Sequence, residues 1–98
     1  MAYTLDFAPH VRVYLRNLPG LSRQSRVKLF AAIDLHVRQL GDVHRMNHEL
    51  RLPDDRYFQL GIAFRDESRR VRYFTVVVND EAAEYGVLKI EYADEAGE

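Results

Sequence analysis

The sequence predicts an α+β domain of order β-α-α-β-β-β, an antiparallel sheet packed against a two-helix hairpin. Two observations predict it. Helical spacing of apolar residues is confined to residues 9–41, and three runs rich in β-branched and aromatic residues follow residue 56, joined by short polar connections. Helices segregated from a meander of strands make an α+β arrangement.

The opening "YTLDF" alternates, with Tyr3, Leu5 and Phe7 on one face and Thr4 and Asp6 on the other, as in a half-buried strand. Pro9 suits the first turn of a helix, and Val11, Tyr14, Leu15 and Leu18 recur at helical spacing until Pro19-Gly20 stops them. Ser22 is a candidate N-cap. From it a second helix carries a stripe of Val27, Phe30, Ile33, Val37 and Leu40, with Gly41 at the expected C-terminal position. Residues 42–56 show no clear period. "YFQLGIAF", "VRYFTVVV" and "YGVLKIEY" then read as three antiparallel strands. The second of these is nearly all apolar, which predicts a central strand covered on both faces. The first strand is expected to add beside a later one, and the acidic end "ADEAGE" is expected to fray.

The 98 residues, 47% hydrophobic and 30% charged, fit one globular domain spanning 1–98. No apolar run reaches the length of a membrane span. The start carries Asp6 and no basic region, so no secretory leader is expected. With no cysteine, a disulfide framework, a thiolate-bound zinc and a thiol nucleophile are excluded. These features predict a cytoplasmic protein. The net charge of −1 hides an imbalance: 13 Arg or Lys face 7 acids between His10 and Arg72, whereas Lys89 alone faces 7 acids from Tyr73 onward. Either the first part meets a polyanionic partner, or the fold brings the two parts together and cancels their fields.

Motifs for nucleotide binding or for a serine nucleophile are absent. Ser25, Ser68, Thr4 and Thr75 have no neighbouring base in sequence. His44 and His48 stand four apart and, with Glu49, imitate a metal site, but they lack a firm third ligand, so neither metal nor cofactor is expected. What remains is arginine: Arg51, Arg56, Arg65, Arg69, Arg70 and Arg72, with Tyr57, Tyr73 and Tyr92. Alternation places Arg72 with Phe74, Val76 and Val78. From the start of a central strand it can project into a concave sheet face and bind phosphate, or it can stay in water, paired with Asp66 or Glu67.

The order of elements and several motifs resemble the RelE/ParE superfamily of toxins from bacterial type II toxin–antitoxin pairs. "MAYTLDFAPHVRVYLRNL" resembles the family's first strand and helix, "HELRLPDDRYFQL" its entry to the second strand, and "VRYFTVVVND" its Tyr-Arg-x-x-Tyr-x-x-x-Asp strand, with Arg72 at the family's arginine. The resemblance implies either cleavage of messenger RNA on the ribosome or inhibition of DNA gyrase. It also implies a cognate antitoxin partner or, failing that, self-association as a homodimer. It makes Arg72 and Tyr92 the candidate catalytic residues and Arg51 and Arg56 the candidate RNA contacts. The chain departs from the family where Gly61 replaces an arginine, Gln59 a glutamate, and Asp94 and Glu95 a pair of lysines. Two carboxylates beside Arg72 would repel phosphate and neutralise the guanidinium. Weak or absent RNA cleavage is therefore expected, and an inactive partner-binding protein is the alternative.

Overall fold

The computed structural model describes residues 4–46, 57–80 and 85–96, with the backbone alone for 40–46. Among these, β1 (Thr4–Phe7), α1 (Pro9–Arg16), α2 (Arg23–Met46), β2 (Tyr57–Arg65), β3 (Val71–Asn79) and β4 (Val87–Glu95) follow in the expected order. The sheet runs β1-β4-β3-β2. β2, β3 and β4 form the antiparallel meander, but β1 lies parallel to β4, so the sheet is mixed rather than wholly antiparallel. Antiparallel neighbours can be joined by tight turns, whereas β1 reaches β4 only after both helices and two strands have intervened.

One face of the sheet meets both helices. Phe58, Leu60, Ile62 and Phe64 of β2 and Phe74, Val76 and Val78 of β3 are buried there, with Leu88, Ile90 and Ala93 of β4. Val11 and Leu15 of α1 and Leu29, Ile33 and Val37 of α2 close the same apolar cluster. The α2 stripe is rotated from its expected position. Val27 is 63% exposed, whereas Leu29, fully buried, takes its place in the row Ser25, Leu29, Ile33, Val37. A row at i, i+4 spacing forms one straight ridge on a helix. Phe30, beside that ridge, instead packs edge-on against Phe7 at 5.1 Å between ring centres.

Of the two ends expected for α2, the start is where the sequence places it and the finish is not. Ser22 caps α2, its Oγ accepting from the Ser25 N–H at 3.2 Å. Gly41 does not end that helix, which continues to Met46. A helical glycine costs only about 1 kcal/mol against alanine, too little to force a stop.

β3 is not covered on both faces. Among the described residues no second layer covers that face: Tyr73 is 58% exposed, and Thr75 and Val77 are half-buried. Nor does the acidic end fray at once. β4 stays paired with β3 through Glu95, and the Ala96 N–H donates to the Tyr73 carbonyl at 2.8 Å. Beyond Ile90, where β1 no longer pairs with it, the edge of β4 is partly covered by α1. His10 Nε2 donates to the Glu91 carbonyl at 2.6 Å, and the Glu95 N–H donates to the Tyr14 hydroxyl at 2.9 Å. Such contacts supply partners for backbone groups that an edge strand otherwise leaves open.

Candidate functional site

The β2–β3 connection, residues 66–70, is a side-chain-templated turn. Asp66 Oδ1 accepts from the N–H groups of Ser68 (2.9 Å) and Arg70 (3.0 Å). Arg69 sits at φ 64°, a left-handed conformation more usual for glycine. Glu67 reaches away from the turn and accepts from the Ser22 N–H at 2.8 Å. Asp66 and Glu67, the acids nearest Arg72 in sequence, are thus both occupied with backbone donors.

Arg72 follows this turn on the helix side of β3, the side of Phe74. Its Nε donates to Glu95 Oε1 and Oε2 at 3.0 and 3.1 Å, and its Nη2 donates to Oε2 at 2.7 Å. Nη1 donates to the Pro19 carbonyl at 3.0 Å. The Arg72 side chain is 9% exposed and that of Glu95 28%. The Glu95 hydrogen bonds hold the guanidinium even more firmly protonated than usual, against the opposing effect of burial. This forked pair ties the end of the sheet to the turn between the helices, where Gly20 adopts φ 78°. An adjoining cavity of about 470 Å³ is lined by Pro19, Gly20, Asp66, Ser68 and Arg70 as well as the pair itself.

Tyr92 lies on the other face of the sheet. It pairs with Val77 in register and is 47% exposed. Its hydroxyl donates to Asp94 Oδ2 at 3.2 Å, and this bond, reinforced by the Asp94 charge, raises the phenol above its ordinary range. Asp94 Oδ1 also accepts from the Tyr14 hydroxyl at 3.0 Å. Burial is the main cause that raises Tyr14, opposed by its bond from the Glu95 N–H and assisted by Asp94 and Glu95. At neutral pH both phenols hold their protons and neither is poised as a base.

The structure therefore separates the sequence candidates. Arg72 and Tyr92 stand on opposite faces, each held by an acid of β4, and Arg51, Arg56 and His48 lie outside the described residues. No group of three metal-ligating side chains occurs among the described residues. No helix among them is long and apolar enough to cross a membrane. Tyr14 was not anticipated. Its helical spacing marked it for packing, and nothing local announced that its hydroxyl would reach the end of β4.

A second feature escaped the sequence reading. Arg12 and Arg16 on α1 and Arg23 and Arg26 on α2 line one groove, brought together by the intervening Pro-Gly turn. The signal was present as arginines at i, i+4 and i, i+3 spacing on either side of that turn. No family model, curated protein or solved structure matches the chain.

Proposed function

We propose that the chain is a toxin-like component of a bacterial type II toxin–antitoxin pair, similar to the RelE type, with weak or absent cleavage of messenger RNA. The element order supports the resemblance. The observation that carries the reduced-activity reading is the closure of Arg72 by Glu95. A phosphate approaching this guanidinium meets a carboxylate already in its fork, and the pair together is neutral. Displacing Glu95 would strip the cation of its counter-ion in a site with little solvent, an exchange with no net electrostatic gain. Tyr92 adds little, because its proton is committed to Asp94 on the opposite face.

Binding is then the main activity, with a cognate antitoxin protein as the partner. A gyrase-directed, ParE-like action is the second reading. It is favoured by the same closure, because inhibition by binding needs no group that stabilises a reacting phosphate.

The test is induced expression of the natural chain and of Arg72→Ala, with growth, mapped mRNA cuts and gyrase supercoiling as readouts. The expected result is no ribosome-dependent cutting by either chain. Robust cutting by the natural chain that Arg72→Ala abolishes would overturn the reduced-activity reading. Absence of growth arrest, supercoiling inhibition and antitoxin binding alike would overturn the toxin-like reading itself.

A further inference from the structure

The groove between α1 and α2 has a volume of about 650 Å³, within the range of small-molecule sites. Its apolar part is Phe7, Val27 and Phe30, with Val27 63% exposed and the two rings set edge to face at 71°. Its polar part is Arg12, Arg16, Arg23 and Arg26. The one acid paired with any of these cations among the described residues is Asp6, 3.7 Å from Arg12 and half exposed, which leaves three of the four unmatched.

Their other contacts do not neutralise them. Arg12 Nε donates to the Phe7 carbonyl at 3.3 Å and Arg26 Nη2 to the Leu18 carbonyl at 3.0 Å, both uncharged acceptors. Arg26 Nε is buried without an acceptor. Arg16 and Arg23 have no hydrogen-bond or ion-pair partner among the described residues. Arg23 and Arg26 also occupy the first turn of α2, which holds no acidic residue and where the helix dipole disfavours cations and favours an anion. Four like charges thus converge on one small apolar hollow, and a bound polyanion relieves their repulsion.

We propose that this groove is a binding site for a nucleoside polyphosphate. The phosphates take the guanidinium forks, whose planar donors match phosphate oxygens in pairs. The base lies over Val27 and Phe30 and removes their exposed apolar surface from water. Each half of the groove selects against a simpler ligand. A single carboxylate leaves most of the positive charge unmet, an inorganic polyphosphate leaves Val27 in water, and a hydrocarbon chain leaves the arginines without counter-ions. The phosphates are held by side chains and not by a glycine-rich loop, so the lack of a loop motif in the sequence does not count against the site. The proposal goes beyond the toxin-like reading, because it stands whether or not the chain arrests growth.

The experiment is an NMR titration of the full chain, in buffer free of divalent cations, with ATP, GTP, adenosine and inorganic tripolyphosphate. At least one of the two nucleotides should perturb the amides of Arg12, Arg16, Arg23, Val27 and Phe30 and saturate. Adenosine and tripolyphosphate should each bind about tenfold or more weakly than that nucleotide, since each engages one half of the groove. Arg16→Gln with Arg23→Gln should weaken nucleotide binding by about tenfold or more through lost charge-assisted bonds. Val27→Ser should weaken the nucleotide but leave tripolyphosphate unchanged, a split that a merely structural defect would not produce. All three positions are exposed, so the variants should fold, as thermal melts would verify. Sedimentation with vesicles of anionic phospholipid covers the lipid source of phosphate, and the expected result is no capture, or capture that excess nucleotide reverses. The proposal is overturned if both nucleotides leave these amides unmoved, if tripolyphosphate binds as tightly as the nucleotide, if the arginine variant keeps full affinity, or if vesicles hold the chain against excess nucleotide.

Discussion

Arg72 and Arg16 flank the same turn, yet their surroundings are opposite. Arg72 is drawn into the corner of the fold, its side chain 9% exposed and its fork filled by Glu95 and the Pro19 carbonyl. Arg16, at the end of α1, borders a groove with three other arginines and has no partner among the described residues. The acids of β4 explain the difference. Antiparallel pairing brings Glu95 opposite Phe74, two positions from Arg72 and on the same face. At the α1–α2 groove the described strands bring Asp6 of β1, half exposed and 3.7 Å from Arg12, a much looser pairing. Charge in the corner therefore holds elements together, whereas most of the charge in the groove lacks a close counter-ion among the described residues.

The sharpest test of this division lies on α2 alone. Leu29 is fully buried and Val27 faces the groove. Leu29→Ala should cost about 3 kcal/mol, from lost burial and the cavity left behind. Val27→Ala should stay within about 0.5 kcal/mol, the range of surface sites. Chemical denaturation measures both. Equal losses would mean that the groove lining is part of the core and not a free surface.

The next contrast is between the arginines. Arg72→Ala should destabilise by about 2–3 kcal/mol, because it strands a partly buried carboxylate and frees the Pro19 carbonyl. Arg16→Ala should stay within about 0.5 kcal/mol. A double-mutant cycle on Arg72 and Glu95 should return a coupling of roughly 1–3 kcal/mol, and one on Arg12 and Asp6 should return close to none. If the two cycles agree, the corner is no more committed than the rim. The same geometry decides how to test whether the β4 acids repel RNA. Glu95→Lys would set an ammonium against the Arg72 guanidinium and disrupt the corner, so Asp94→Lys alone is the cleaner probe of whether these acids repel RNA.

These contrasts also show where sequence reasoning reached and where it stopped. Alternation in β3 and helical spacing in α1 placed Phe74, Val76, Val11 and Leu15 correctly, because a period carries its own geometry. The face of α2 was misplaced by part of a turn. Val27 and Leu29 are both apolar, and only the packed sheet decides which of them is covered. The neutralisation of Arg72 by Glu95 was legible from charge arithmetic and a family resemblance. The direction of Asp94 was not, since it is set by two tyrosines distant from each other in sequence, each donating to one of its oxygens. The arginine groove was hidden for the same reason: Arg12 and Arg26 belong to different helices, and only the fold makes them neighbours.

A smaller effect probes how the end of β4 is held. Tyr14→Phe removes the donor to Asp94 and the acceptor of the Glu95 N–H, and should cost about 1–2 kcal/mol. The pH dependence has a definite sign. The folded state holds the Tyr14 proton more tightly than the unfolded chain does, so the stabilisation is complete below the unfolded tyrosine pKa of about 10 and is lost as pH rises through the folded value. Stability measured on the alkaline side should fall less steeply in Tyr14→Phe than in the natural chain. Parallel slopes would mean that Tyr14 does not couple to the β4 acids.

The smallest effect belongs to the turn that delivers Arg72. Arg69 holds φ 64° inside a connection already templated by Asp66. A left-handed conformation costs an ordinary residue roughly 1–2 kcal/mol, whereas glycine adopts it freely but loses roughly 0.5–1 kcal/mol more chain entropy on folding. Arg69→Gly should therefore stabilise the protein by a net of about 0.5 kcal/mol, read as a small rise in melting temperature. It should leave the Arg72–Glu95 coupling unchanged, because the Asp66 acceptor and the strand register both survive the substitution. A net loss of stability would mean that the arginine side chain, exposed as it is, does more for the corner than its backbone strain takes away.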